Sequence, residues 1–189
     1  MIRDLVVRNR SYRRYHEAVA IDCETLRGWV DLARLSASGA NLQPLKYVLA
    51  CEPEANAKIF PLLAWAGYLK DWPGPGAGER PSAYVVILGD TEIRPSFGVD
   101  PGIAAQSILL GATEAGFGGC IIASIQKDPL REALQIPERY EILLVLALGK
   151  PKEEVQIDPV GPDGDIKYWR DERGVHHVPK RGLEEIIVG

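Results

Sequence analysis

Arg10, Ser11, Arg13 and Arg14 crowd three cations and a hydroxyl into the stretch Asn9-Arg10-Ser11-Tyr12-Arg13-Arg14-Tyr15, although the chain carries a formal net charge of -4. A positive cluster in an acidic protein calls for an anion. Arginine's planar fork of donors suits a phosphate or carboxylate, and a serine hydroxyl or backbone N–H beside it completes a cradle. The expected anion is small, because a nucleic-acid surface needs a long basic stripe and a pI near 5.5 argues against one. The plainer reading of the same residues is a solvated basic helix end.

A second candidate is Ser36-Ala37-Ser38-Gly39-Ala40-Asn41-Leu42-Gln43-Pro44. Small residues, Gly, Asn and a closing Pro stop a helix there. Backbone groups and two side-chain amides then become available to a planar polar ring, unless the segment is an ordinary polar turn. A third is Gly116-Phe117-Gly118-Gly119, where glycine lets a ligand approach the backbone, although helix termination alone also explains it. No Ser-His-Asp or Cys-His set is visible. Cys23, Cys51 and Cys120 form no CxxC pair, and their odd number fits reduced structural thiols. His176 and His177 are adjacent, so in a strand they point to opposite faces, and no carboxylate spacing completes a metal site.

The elements that must position these groups follow from pattern. At 189 residues and 46% hydrophobic, one core and one domain are expected. No apolar run is long enough to span a membrane, and the charged N-terminus is unlike a secretory leader, so a cytoplasmic location is expected. Residues 1–8 read as a short helix. Asp22 reads as the N-cap of a helix to about Leu35, with Leu26, Trp29, Val30 and Ala33 on one face. Lys46 to Cys51 reads as a strand, and Pro53 to about Leu69 as mostly helical with a break at Pro61. Trp72 to Gly78 reads as a surface excursion, a lid or a disordered loop, and Trp65, Tyr68 and Trp72 as anchors or pocket walls. Ala83–Leu88 reads as a strand buried on both faces, Asp100–Gly116 as the central helix, Cys120–Ile125 as a strand, Pro129–Gln135 as a short helix and Ile142–Leu148 as another buried strand. From Lys152 the chain turns polar, and its apolar end suggests docking on another surface.

Taken together, Asn9 to Tyr15, Ser38 to Pro44, Gly116-Phe117-Gly118-Gly119-Cys120, Leu148-Gly149-Lys150-Pro151 and the late Lys180-Arg181 resemble the FMN-dependent nitroreductase family in order and approximate spacing. The resemblance implies an α+β fold, a three-layer sandwich of a mainly antiparallel sheet between helices. It also implies an intertwined homodimer with two FMN sites at the interface and ping-pong chemistry driven by NADH or NADPH. The implied organisation is an FMN-binding domain over residues 1–151 and a C-terminal extension, 152–189, that wraps the partner subunit. Arg10, Ser11 and Arg13 would hold the FMN phosphate and the ribityl or pyrimidine end, with Lys180 and Arg181 adding charge at the phosphate. Ser38, Asn41 and Gln43 would contact the ribityl chain or ring, and Ala123 and Ser124 would offer backbone N–H groups near flavin N5. The implied acceptors are nitro, quinone or similar electron-poor compounds. A specialised flavin chemistry or a non-catalytic flavin-binding role is the alternative. No nucleic-acid or membrane partner and no metal are expected.

Overall fold

The computed structural model describes all residues, Met1–Gly189. Helices α1 (Ile2–Arg8) and α2 (Cys23–Leu35) precede strand β1 (Leu45–Ala50), which leads into α3 (Pro53–Ile59). Strand β2 (Ala83–Asp90) is followed by α4 (Asp100–Glu114), β3 (Gly118–Ile122), α5 (Lys127–Leu134) and β4 (Tyr140–Gly149). The C-terminal part contributes β5 (Val155–Pro159), β6 (Trp169–Arg170), β7 (His176–Lys180) and the short α6 (Leu183–Ile186).

The main sheet has the order β1-β2-β4-β3 with every pair antiparallel. β2 is buried along its whole length, because its side chains alternate between two helical layers. Val85 and Ile87 join Leu26, Trp29, Ile108, Leu146 and Leu148 under α2 and α4. Tyr84, Val86 and Leu88 join Ile59, Ile122, Leu130 and Val145 under α3 and α5. The result is the expected three-layer sandwich. Each fully buried Leu or Ile contributes about 1.5–3 kcal/mol of transfer free energy.

Most element boundaries match the periodicity, and four expectations need correction. The helix from Pro53 ends at Ile59, since Pro61 lacks the N–H that an α-helix needs, and the chain tightens to a 3₁₀ turn at Phe60–Leu62. The segment beyond it is extended: Leu63 bridges Ile125, Ala64 N donates to Ser124 O and Gln126 N donates to Leu62 O. The Trp72–Gly78 segment is a surface loop anchored at Trp72, Gly74 and Pro75 rather than a free lid. Gly74 and Pro75 are buried, Gly74 sits at φ +116° against the Trp65 ring, and Trp72 lies 4.2 Å beneath the Arg170 guanidinium. Cys23 and Cys51 are joined in a disulfide rather than reduced, because the start of α2 and the end of β1 converge with Cα atoms 5.5 Å apart. Cys120 is free and buried.

The chain beyond Lys152 has packing of its own. β5, β7 and β6 form a second sheet in that order, with β5 and β7 parallel. That sheet reaches the main body through Glu153, Tyr168, Arg170 and His176. The final residues from Leu183 are exposed, Leu183 at 65% and Val188 at 96%.

Candidate functional site

The arginine loop is bolted to the sheet. Ser11 forms a parallel bridge with Gly119, and Tyr12 N donates to Gly119 O at 3.0 Å. Tyr15 is fully buried and its hydroxyl donates to Ala147 O at 3.2 Å. Gly118 and Gly149 make room for the two rings: a Cβ on Gly118 would lie 2.5 Å from the Tyr12 ring, and one on Gly149 would lie 2.7 Å from that of Tyr15. The glycines after α4 and at the end of β4 therefore receive the loop's tyrosines, a role that helix termination does not capture.

Once the loop is fixed, its three arginines diverge. Arg14 is spent on structure: Nε and Nη2 donate to the two carboxylate oxygens of Glu79 at 2.7 and 2.6 Å. Those hydrogen bonds, with help from Lys152 at 3.0 Å, hold the Glu79 carboxyl down at about 2. Arg10 donates from Nη2 to Val6 O at 2.8 Å, while its Nε is buried without a partner. Arg13 donates from Nη1 to Ser11 O at 3.2 Å and to His176 Nε2, also at 3.2 Å, with its guanidinium 4.8 Å above the Tyr168 ring. Arginine can only donate, so His176 Nε2 accepts and the ring is neutral with its proton on Nδ1. Burial, reinforced by the charges of Arg13 and Arg170, lowers the His176 pKa to about 4.

Arg13 also lines a cavity of about 180 Å³ with Trp65, Cys120, Ala123 and Ser124. The backbone N–H groups of Ala123 and Ser124 donate to nothing in the chain, and the buried Trp65 Nε1 has no partner. Arg13 and the Ala123–Ser124 backbone, with its two unpaired N–H groups, therefore border a single space. This donor-rich wall fits an anionic or carbonyl-rich planar ligand.

The 38–43 loop is built around a different anchor. Ser38 Oγ donates to Asp100 Oδ2 at 2.7 Å and accepts from Gln43 N at 3.0 Å, while Gly39 N donates to Asp100 Oδ1 at 3.0 Å. Ser38 is thus committed internally. Ala40, Asn41 and Gln43 all hold left-handed φ values of 50°, 55° and 50°, each costing roughly 1–2 kcal/mol, and such strain concentrates at ligand sites. The Asn41 side chain is free and exposed, and Gln43 Nε2 donates to Asn41 O at 3.1 Å. Ser38 and Gln43 line a separate cavity of about 220 Å³ with Arg34, Tyr47 and Asp100.

One chain does not bring the two sets together. The 38–43 loop enters β1, the strand at one edge of the sheet, while the arginine loop lies along β3 at the other edge. The strand ends differ too: Leu45 is level with Gly89 and, through β2, with Glu141, whereas the arginine loop sits beside Gly118 and Gly149. Along β4 that separation is on the order of 25–30 Å at about 3.4 Å per residue. Lys180 and Arg181 also stay apart from the arginine loop. Lys180 O accepts from Val160 N, and the Arg181 guanidinium pairs with Glu185.

Trp65 is a pocket wall, one of the two readings its sequence allowed, whereas the sequence did not point to His176, Tyr168 or Glu153 as partners of the arginine loop. Glu153 accepts from the Arg13 backbone N–H and, at 2.9 Å, from Arg170 Nη2, so it ties the second sheet to the loop. The run Tyr168-Trp169-Arg170-Asp171 and the paired His176 and His177 are the available signal, but nothing in their spacing shows that they fold back onto Arg13.

A cavity bordered by Arg13 and by unpaired backbone donors thus lies at the edge of an antiparallel sheet between two helical layers. The nitroreductase family model matches residues 6–150, and the chain belongs to that family. A protein of Archaeoglobus fulgidus described as an NADH dehydrogenase/NAD(P)H nitroreductase is 27% identical over 158 residues, covering 79% of this chain and 85% of that protein. The NADPH-flavin oxidoreductase of Vibrio harveyi is 34% identical over 71 residues, 36% of this chain and 30% of its own length. Among solved structures, a nitroreductase family protein of Streptococcus pneumoniae has a TM-score of 0.74 at 17% identity with both chains fully covered. A nitroreductase of Exiguobacterium sibiricum in complex with FMN has a TM-score of 0.66 at 21% identity, covering 80% of this chain and 89% of the other.

Proposed function

We propose that the chain is an FMN-dependent oxidoreductase that takes reducing equivalents from NADH or NADPH and passes them, by a ping-pong mechanism, to nitro, quinone or similar electron-poor compounds. The carrying observation is the space shared by the Arg13 guanidinium and the unpaired N–H groups of Ala123 and Ser124. FMN would supply the hydride and electron transfer; the chain's residues bind it, orient it and set its electrostatics. Arg10, with its buried unpartnered Nε, and Ser11 face the phosphate and ribityl end in this reading. Arg13 supplies positive charge where reduction places negative charge, and the Ala123 and Ser124 N–H groups serve the N5 side. The names of the Archaeoglobus and Vibrio relatives and the Exiguobacterium FMN complex support the reading.

Ser38, Asn41 and Gln43 complete the site only from a second copy, since the two loops of one chain lie at opposite edges and ends of the sheet. The homodimer is part of the same proposal. Asn41 and Gln43 reach the partner's cofactor, Ser38 holds their loop on Asp100, and Lys180 and Arg181 reach a phosphate only if residues 181–189 leave the position they take in a single chain. No helix is long and apolar enough to cross a membrane. A cytoplasmic location belongs to the same proposal, and the Cys23–Cys51 disulfide, a bond rare in that reducing compartment, is the observation that counts against it.

Purification of the chain followed by identification of the released cofactor tests this reading. A yellow protein releasing FMN and bleached by NADH or NADPH without oxygen is expected. Released FAD, or a colourless protein that takes up no FMN, would overturn it.

A further inference from the structure

Cys23 Sγ, Cys51 Sγ and a carboxylate oxygen of Glu52 all lie within 4.8 Å of one another. Cys23 is the first residue of α2, Cys51 follows the last residue of β1 and Glu52 is the N-cap of α3, so the group sits where three elements meet. The two cysteines are 28 residues apart, and no CxxC spacing announces them as a pair. Cys23 is exposed and Cys51 half-buried, so a reductant reaches their disulfide from solvent.

Reduction turns this corner into a set of metal ligands. A dithiol reductant gives two electrons and two protons to the Cys23–Cys51 bond, which opens to two thiols as the reductant closes to its own disulfide. Leu26 and Trp29 keep α2 in the core and Ala50, next to Cys51, is 2% exposed, so the Cα atoms are held near their 5.5 Å separation. Two sulfurs on one tetrahedral zinc, each about 2.3 Å from it, stand about 3.8 Å apart, which rotation of the two side chains provides. Glu52 is exposed and makes no cap hydrogen bond, so its carboxylate is free to be the third ligand, with water as the fourth. The N-terminus of the 13-residue α2 favours negative charge at Cys23. Glu17 and Asp22 line the same cavity as Cys51 and Glu52, against Arg80 as its one cation, and the resulting negative potential attracts a cation. Two thiolates select a soft or borderline ion such as zinc over magnesium or calcium.

We propose that in the reduced protein Cys23, Cys51 and Glu52 bind one zinc ion, which takes over from the disulfide in stapling α2 to β1. Binding displaces the two thiol protons to solvent. The site shares no residue with the cavity around Arg13 or the one around Ser38, and it is independent of the flavin reading.

The test is anaerobic titration of the full-length chain with Co²⁺ followed by Zn²⁺, on protein reduced with a phosphine and on the disulfide form. The reduced chain is expected to show thiolate-to-cobalt charge-transfer absorption that saturates at one Co²⁺ per chain and is bleached by Zn²⁺. The disulfide form and Cys23→Ser should show none, and Glu52→Gln should bind at least about tenfold more weakly. Zinc should also raise the urea midpoint of the reduced chain and leave that of the disulfide form where it was. No charge-transfer band in the reduced chain, or a band that persists in Cys23→Ser, overturns the proposal. So does unchanged affinity in Glu52→Gln, or a urea midpoint that zinc moves equally in both forms. The wild-type disulfide form serves as the metal-free control whether or not the Cys23→Ser variant folds.

Discussion

The Arg13 guanidinium and the fully buried His176 ring meet at 3.2 Å, and the direction of that hydrogen bond keeps the histidine neutral. A carboxylate at this position would hold the arginine more tightly but cancel its charge. A neutral acceptor holds the guanidinium while leaving its full charge to the cradle. The nearby carboxylate, Glu153, is directed instead to the Arg13 backbone N–H and to Arg170. His176 thus acts as a positioning residue for Arg13.

His176→Gln keeps an acceptor and His176→Glu adds a compensating charge. The Gln variant is expected to retain FMN affinity within about threefold, since a comparable hydrogen bond persists. The Glu variant is expected to lower the flavin midpoint potential by destabilising the reduced, more negative cofactor, as anaerobic redox titration measures. Equal potentials in the two variants would remove His176 from this role.

Burial also gives His176 a pH signature. Its folded-state pKa, about 4, lies below the ordinary 6.5, so between those values the unfolded chain binds the extra proton. Its contribution is therefore complete above about pH 6.5 and is lost as the pH falls toward 4. Glu79, held down at about 2 by Arg14, adds a loss from about pH 4.5 downward. Urea denaturation across pH 7 to 2 is expected to show a shallower decline between pH 6.5 and 4 in His176→Gln, and Glu79→Gln is expected to flatten the profile below about pH 4.5.

Gly118→Ala separates loop placement from stability. Its Cβ would clash with the Tyr12 ring at 2.5 Å, and the ring must shift with the loop that carries it. Overpacking of this kind costs about 1–3 kcal/mol. Leu146→Ala, deep beneath α2 and α4, costs about 2–5 kcal/mol and leaves the loop in place. FMN titration of folded protein is expected to show weaker binding in Gly118→Ala but not in Leu146→Ala. The reverse order would show that the tyrosines do not set the cradle.

Asn41→Ala is expected to weaken FMN binding or shift its potential, with a stability loss of about 1 kcal/mol because alanine adopts the left-handed φ of 55° less readily than asparagine. Unchanged affinity and potential would take Asn41 out of the site.

The layered fold was legible because its determinants are local. The continuous apolar run of β2, the Asp22 cap and the small residues of α4 each specify an element from their own spacing. The long-range pairings were not. Cys23 and Cys51 are 28 residues apart and show no spacing motif. Glu153 and His176 reach Arg13 across 140 and 163 residues. Arg14 reads like its neighbours until Glu79 is seen to occupy both arms of its fork. Within the 38–43 loop the sequence named Ser38, Asn41 and Gln43 alike, yet Asp100 takes Ser38 and leaves the other two outward.

The central claim is a cofactor held between the arginine loop of one chain and the 38–43 loop of another. Arg13→Glu and Asn41→Asp homodimers should each bind FMN poorly, Asp being tolerated at Asn41's left-handed φ. When the two proteins are unfolded together and refolded as a mixture, a hybrid dimer carries one site with both residues intact. FMN bound per dimer, measured by flavin absorbance on tagged and separated hybrids, decides the question. One FMN per hybrid dimer, with near-native affinity, is the expected result. Hybrids that bind no better than either parent would contradict the account.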